Sequence, residues 1–169
     1  MRGCAVLTVA LLSLPAVAGA QERSAAIFDF ELIDTSRVNQ LVPHDAELQA
    51  RLADVSERLR RRLAESGRFV IVDIAPVAKE AQASNLQSCG GCDISLADKL
   101  GADLAITGMV HKVSNLVLRM MILVRDAKTG AVIAVARASM RGDTDETWTR
   151  TLDWLVRHRL LAPDDGVQR

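Results

Sequence analysis

Two strand-length segments, residues 116–125 and 131–141, flank the five residues Asp126-Ala127-Lys128-Thr129-Gly130. Strands joined by so short a connection can only return antiparallel, because a parallel return needs a crossover of about a dozen residues or more. In the first segment Leu116, Leu118, Met120, Ile122 and Val124 share one face, and Arg119 and Arg125 the other. A loop closing on Gly130 pairs Asp126 with Ala131. Extended along the ladder, that register sets Arg137 and Arg141 on the face opposite Arg119 and Arg125, so no continuous basic sheet face is expected.

The hairpin is the end of a longer pattern. Residues 24–32 (SAAIFDFEL) read as a first strand, and the polar stretch 34–43 as a loop. Over 44–66, Leu48, Leu52, Val55, Leu59 and Leu63 recur at helical spacing, and Gly67 follows as a stop. Arg58, Arg60, Arg61 and Arg62 crowd the last turns of this helix, where cations complement the helix dipole. FVIVDI, 69–74, is a dense apolar run that reads as a buried strand, and Pro76 can open a helix to about Leu86. A short helix over 95–100 and a strand over 103–112 precede the hairpin. A helix over 143–161 closes the chain, with Asp143 and Glu146 spaced as a capping box and Trp148, Leu152, Leu155, Val156 and Leu160 as its buried stripe. The order β-α-β-α-β-β-β-α, with early crossovers feeding a mixed sheet, predicts an α/β two-layer sandwich.

The first twenty residues, MRGCAVLTVALLSLPAVAGA, fall outside that pattern. Arg2 gives a positive start, 5–14 an apolar run, and Ala18-Gly19-Ala20 a small-residue site before Gln21. This is the layout of a secretory signal peptide cut after Ala20. A membrane span needs about 20 apolar residues, and Pro15 interrupts the run sooner. Cys4 precedes the apolar run, whereas a lipidated cysteine follows it. The expected product is a periplasmic protein with no membrane span, a single α/β domain over 21–163 and a flexible tail over 164–169. Loss of Arg2 leaves 20 basic against 21 acidic groups. Such balance lacks the cationic surplus of a nucleic-acid binder, and 3% aromatic residues leave little for stacking on bases or sugars. An apolar share of 49% argues against disorder.

One motif carries chemistry. Cys89-Gly90-Gly91-Cys92 is a C-x-x-C, and three readings of it stay open. In an oxidising compartment the pair can close a disulfide, with the two glycines permitting the tight turn. It can be redox-active, if a helix N-terminus stabilises a thiolate. It can supply two ligands of a metal site, but His44, His111 and His158 are scattered and the adjacent Asp93 cannot complete a tetrahedron alone. Asp93 stands where haem attachment requires histidine. No nucleophile elbow, Walker or dinucleotide-binding pattern occurs, so no catalytic residue, no metal and no cofactor is expected. Trp148 and Trp154 lie six apart and should point in different directions, Trp148 into the core and Trp154, near Arg157, toward a partner.

IFDFEL, a helix ending in ESGRF, VIVD, GADLAITGMVHKV and LVRDAKTGAVI together resemble the small α/β domain of the TolB amino-terminal region, found also in CsgG and LpoB. FDFELIDTS, CGGCD, VHKVSNL and DETWTRTLDWLVRHRLL are similar to a domain-of-unknown-function family of small exported proteobacterial proteins. The resemblance implies this fold, and a setting near periplasmic alcohol oxidation dependent on pyrroloquinoline quinone. It transfers no catalytic residues. A complete structural pattern without a catalytic set points to an accessory or adaptor protein that binds a protein partner through a sheet edge or the Trp154 end. The alternatives are a thiol-redox protein using Cys89 and Cys92, or a small-molecule or metal carrier serving quinoprotein metabolism.

Overall fold

The computed structural model describes residues 22–35, 46–114 and 116–162. The expected signal segment, most of the 34–43 loop, His44, Asn115 and the expected tail lie outside the described residues. The elements run β1 (Arg23–Ile27), β2 (Glu31–Asp34), α1 (Ala46–Glu65), β3 (Phe69–Val72), α2 (Ala78–Ala83), α3 (Cys92–Lys99), β4 (Leu104–Lys112), β5 (Val117–Asp126), β6 (Val132–Arg141) and α4 (Asp145–Leu155). A 3-10 turn carrying Pro76 leads into α2, and a π turn over Val156–Leu160 extends α4. The sheet has the order β3-β1-β4-β5-β6, with β2 continuing β1 along β4. β1 runs parallel to β3 and β4, and β5 and β6 add antiparallel, so the expected mixed-sheet α/β fold is what the chain forms.

The segment expected as one strand is two. Ile27 pairs with Ile106, but the next ladder pairs Glu31 with Met109, so three residues on one side face two on the other. The extra residue reverses side-chain parity. Phe28 enters the cluster beneath α2 and α3, while Phe30 and Leu32 turn to the opposite face. Two contacts hold the break: the Phe30 amide donates to Ser56 Oγ of α1 at 2.9 Å, and the Phe30 ring lies against Gly108. A Cβ at 108 would stand 2.5 Å from that ring, so only glycine leaves it room.

Most of the core sits on one face. The α1 stripe, Leu48 through Leu63, packs with Trp148, Leu152 and Leu155 of α4 against Leu118, Met120 and Ile122 of β5. Each large aliphatic side chain buried this way stabilises by about 1.5–3 kcal/mol. Alternate residues of β1 and β4, Ala26 and Ala105 among them, face the other way, under α2 and α3. Among the described residues that second cover lies mainly over β1 and β4. It meets the hairpin only at its turn end, where Arg125 of β5 pairs with Asp93 of α3 and Ala127 joins the cluster.

Three local expectations are corrected. The cap of α4 is Thr144, whose Oγ1 accepts from the Thr147 amide. Asp143 is drawn away by stronger partners, accepting from Trp148 Nε1 at 3.0 Å and pairing with Arg51 and Lys112. The arginines at the end of α1 do more than meet a dipole: Arg58 and Arg62 both grip Asp153 of α4, and Arg60 donates to Ile27 O while pairing with Asp29. Finally, Val124 pairs with Ala134 but Arg125 with Val132, a β-bulge that shifts the hairpin register by one. Asp126 still bonds Ala131 at the turn, as the loop length requires. Beyond the bulge parity is reversed, and Arg119, Arg137 and Arg141 lie on one face.

Candidate functional site

The C-x-x-C loop is built by its neighbours. Glu31 of β2 accepts from the Leu86 and Gln87 amides, and Asn85 O accepts from the Ser88 and Cys89 amides, which bends the chain toward α3. Gly90 and Gly91 then take φ of 74° and 123°, values that side chains disfavour. Helix α3 begins at Cys92, three residues earlier than its apolar pattern indicates, so the second cysteine occupies its first turn. Cys89 and Cys92 are joined as a disulfide with Cα atoms 5.8 Å apart, inside the usual range. Cys89 is exposed, while Cys92 is half-buried against the α2–α3 cluster.

The next residue, weighed in the sequence only as a metal ligand and against haem attachment, has a structural part that spacing did not indicate. Asp93 is buried, and both of its oxygens accept from Arg125 Nη1 of β5, at 3.1 and 3.3 Å. The pair pins the start of α3, and with it the disulfide, onto the sheet. A signal existed in the acid at the second position of a helix beside a strand arginine, but the bridge needs Arg125 on the α3 side of β5. Among the described residues no three or more His, Cys, Asp or Glu side chains are grouped to hold a metal ion. His111 is taken up at its strand end by Thr35, with Oγ1 to Nε2 at 2.9 Å.

The two tryptophans separate as their spacing implies. Trp148 is fully buried, whereas Trp154 is 42% exposed. Trp154 and Arg157 line the same surface depression, of about 300 Å3, with Glu146, Thr149, Arg150 and Asp153. The His158 ring lies 5.4 Å from the Trp154 ring, and the Arg159 guanidinium 5.4 Å from its centre, within cation–π range. At the floor Asp153 accepts from Arg58 and Arg62, and these bonds hold its carboxyl down to about 2. The depression therefore pairs a fixed anion with a flat aromatic surface edged by cations. No helix among the described residues is long and apolar enough to cross a membrane.

Crossovers feeding an antiparallel hairpin, with helices over one whole face and half of the other, define an α/β domain of the mixed-sheet kind. The chain belongs to the family DUF3280, described as protein of unknown function (DUF2380), which it matches over residues 23–160. A search of curated proteins found no match. Among solved structures, PelC from Paraburkholderia phytofirmans, crystallised as a dodecamer, is similar with a TM-score of 0.50 and 14% identity, over 86% of this chain and 92% of that one. The LpoB C-terminal domain from Escherichia coli gives 0.49 and 18%, over 75% and 87%. Lipoprotein GNA1162 from Neisseria meningitidis gives 0.46 and 15%, over 73% and 83%. At these identities the likeness is one of fold.

Proposed function

We propose that this protein is an accessory or adaptor protein of the periplasm, without catalysis of its own, that binds a protein partner in the cell envelope or in a periplasmic oxidation system. The observation that carries the reading is the Trp154 depression. Tryptophan and arginine dominate the energetics of protein interfaces, and here Trp154 and Arg157 share one concave surface with Arg159 against the ring. The signal-like first twenty residues support the compartment.

A photo-crosslinking amino acid placed at position 154 of the full-length protein, expressed in its native host, tests this. A discrete adduct with one envelope or periplasmic protein is expected. Trp154→Ala should weaken the purified complex at least tenfold, as loss of a hot-spot residue does. Absence of any adduct across growth conditions, or unchanged affinity of Trp154→Ala, rejects the reading.

A second reading, thiol exchange, is favoured by one observation: Cys89 is exposed while Cys92 sits in the first turn of α3. Equilibration with glutathione buffers decides it. A potential below about −300 mV marks a structural bridge and removes this reading, whereas one above about −230 mV supports it.

A further inference from the structure

Beyond the bulge, β5 and β6 pair Met121 with Arg137, Arg119 with Ser139 and Val117 with Arg141. Cross-strand partners share a face, so Arg119 has Ser139 directly opposite and Arg137 and Arg141 on its two diagonals, about 7–8 Å away. All three arginines are exposed, and none has an ion-pair partner among the described residues. The acids on this side of the sheet are already engaged, Asp93 by Arg125 and Glu31 by the Leu86 and Gln87 amides. Toward the hairpin the surface turns apolar, with Val132 55% and Ile133 47% exposed at the bulge and Val135 exposed beside them.

β6 also ends the sheet. The Gly142 amide donates to Leu116 O of the segment entering β5. Alternate residues of a strand direct their amides to the same side. Met140, Ala138 and Ala136 therefore bond toward β5, while Ser139, Arg137 and Val135 turn their amides and carbonyls outward. The residues that build the cationic face are the ones presenting free backbone groups at the edge.

We propose that β6 receives an extended acidic segment of a partner protein as an added strand, its carboxylates over Arg119, Arg137 and Arg141 and its apolar residues beside Val132, Ile133 and Val135. The inference rests on the adaptor reading and names the chemistry of the partner. Only a polypeptide can complete the outward amides and carbonyls of an edge strand. Three unpaired guanidiniums select carboxylates on it. A second copy pairing edge to edge about Ser139 would set Arg137 against Arg141 of the other copy, and like charges directly opposite are destabilising.

The test uses the full chain after export and two synthetic peptides of about ten residues, one alternating Glu with Val and one alternating Lys with Val. The acidic peptide should bind, more weakly as salt rises, and the basic one should not. Arg119→Glu/Arg137→Glu should reverse that preference, changing each affinity at least tenfold. Ser139→Pro removes an outward amide without touching the ladder, and should cost the acidic peptide at least tenfold while the melting curve stays near wild type. Equal binding of both peptides, no binding of either, or an unreversed preference overturns the proposal. So does binding to phosphatidylglycerol vesicles without binding to peptide, or a dimer that the charge reversal dissolves. A partner captured through position 154 whose complex ignores the charge reversal would leave the adaptor reading standing and remove this one.

Discussion

The parallel half of the sheet, where β1 and β2 run beside β4, is packed on both faces, whereas the antiparallel half, β5 and β6, is packed on one. Phe28 and Ala105 on the second face of the parallel half lie beneath α2 and α3. At equivalent positions on the antiparallel half stand Arg119, Arg137, Ser139 and Arg141, exposed. Both halves share the helical layer of α1 and α4, so the difference lies in what the second face is free to do. In one half it supplies stability, and in the other it is a surface with side chains to spare. The Arg125–Asp93 pair marks the border, being the point where a β5 residue still reaches a covering helix.

If that contrast holds, the largest effects belong to the doubly covered half. Phe28→Ala empties a fully buried aromatic site and should lower unfolding free energy by about 3–5 kcal/mol, read as a lower urea midpoint with unchanged slope. A loss under about 1 kcal/mol would mean that α2 and α3 are loosely held, and the contrast would fail. At the border, Arg125→Ala strands the buried Asp93 carboxylate and should cost about 3 kcal/mol. Asp93→Ala should cost less, because the more exposed guanidinium can turn to water. The double variant should fall well short of the sum, which a double-mutant cycle measures.

The parts of this contrast differed in how far they could be read from residues alone. Every helix and strand of the helical-layer side was legible, since Leu48 to Leu63 and Trp148 to Leu155 repeat at helical spacing and Leu118 to Val124 alternate. The cysteines and Trp154 were singled out by residue type. What sequence spacing missed were two insertions of a single residue. One splits β1 from β2 at Phe28–Phe30, and the other is the bulge at Val124 and Arg125. Each reverses parity, and neither carries a proline or glycine in the strand that holds the extra residue, though Gly108 of β4 stands across from the first. A turn length fixes register only as far as the first irregularity, so the joint face of Arg119, Arg137 and Arg141 could not be counted out from Gly130. Asp143 was missed for another reason: its partners Arg51 and Lys112 come from distant elements.

The shared helical layer should respond more mildly and with a pH signature. Asp153 latches α4 to α1 through Arg58 and Arg62, which hold its carboxyl down from the ordinary value of 3.8 to about 2. A lowered folded value means that the unfolded chain takes up the proton first as pH falls. The stabilisation is thus complete above about pH 4 and is lost as pH drops through 2. The group is partly open to solvent, so Asp153→Asn should cost about 1 kcal/mol at pH 7. The variant should also flatten the fall in stability between pH 4 and 2. Asp103, held low by the Ser24 hydroxyl and amide, and Asp126, held low by the Thr129 amide and hydroxyl, act in the same direction and leave a residual slope. An unchanged slope in Asp153→Asn would show that the two helices are held by their apolar stripe alone.

The smallest effects should come from the open face, and that is its sharpest test. Arg119, Arg137 and Arg141 touch no carboxylate among the described residues, and the Ser139 side chain points to solvent. Replacing any of them by alanine removes no buried contact, so each should stay within about 0.5 kcal/mol of wild type in urea unfolding. Relief of repulsion among three neighbouring cations predicts the sign: Arg119→Ala, with like charges on both diagonals, should be neutral to slightly stabilising, more so at low salt. A cationic cluster that raises stability when removed contributes nothing to folding, so its side chains are free to serve binding. Destabilisation beyond about 1 kcal/mol would place these arginines in the structural account with Arg125 and erase the distinction between the two halves.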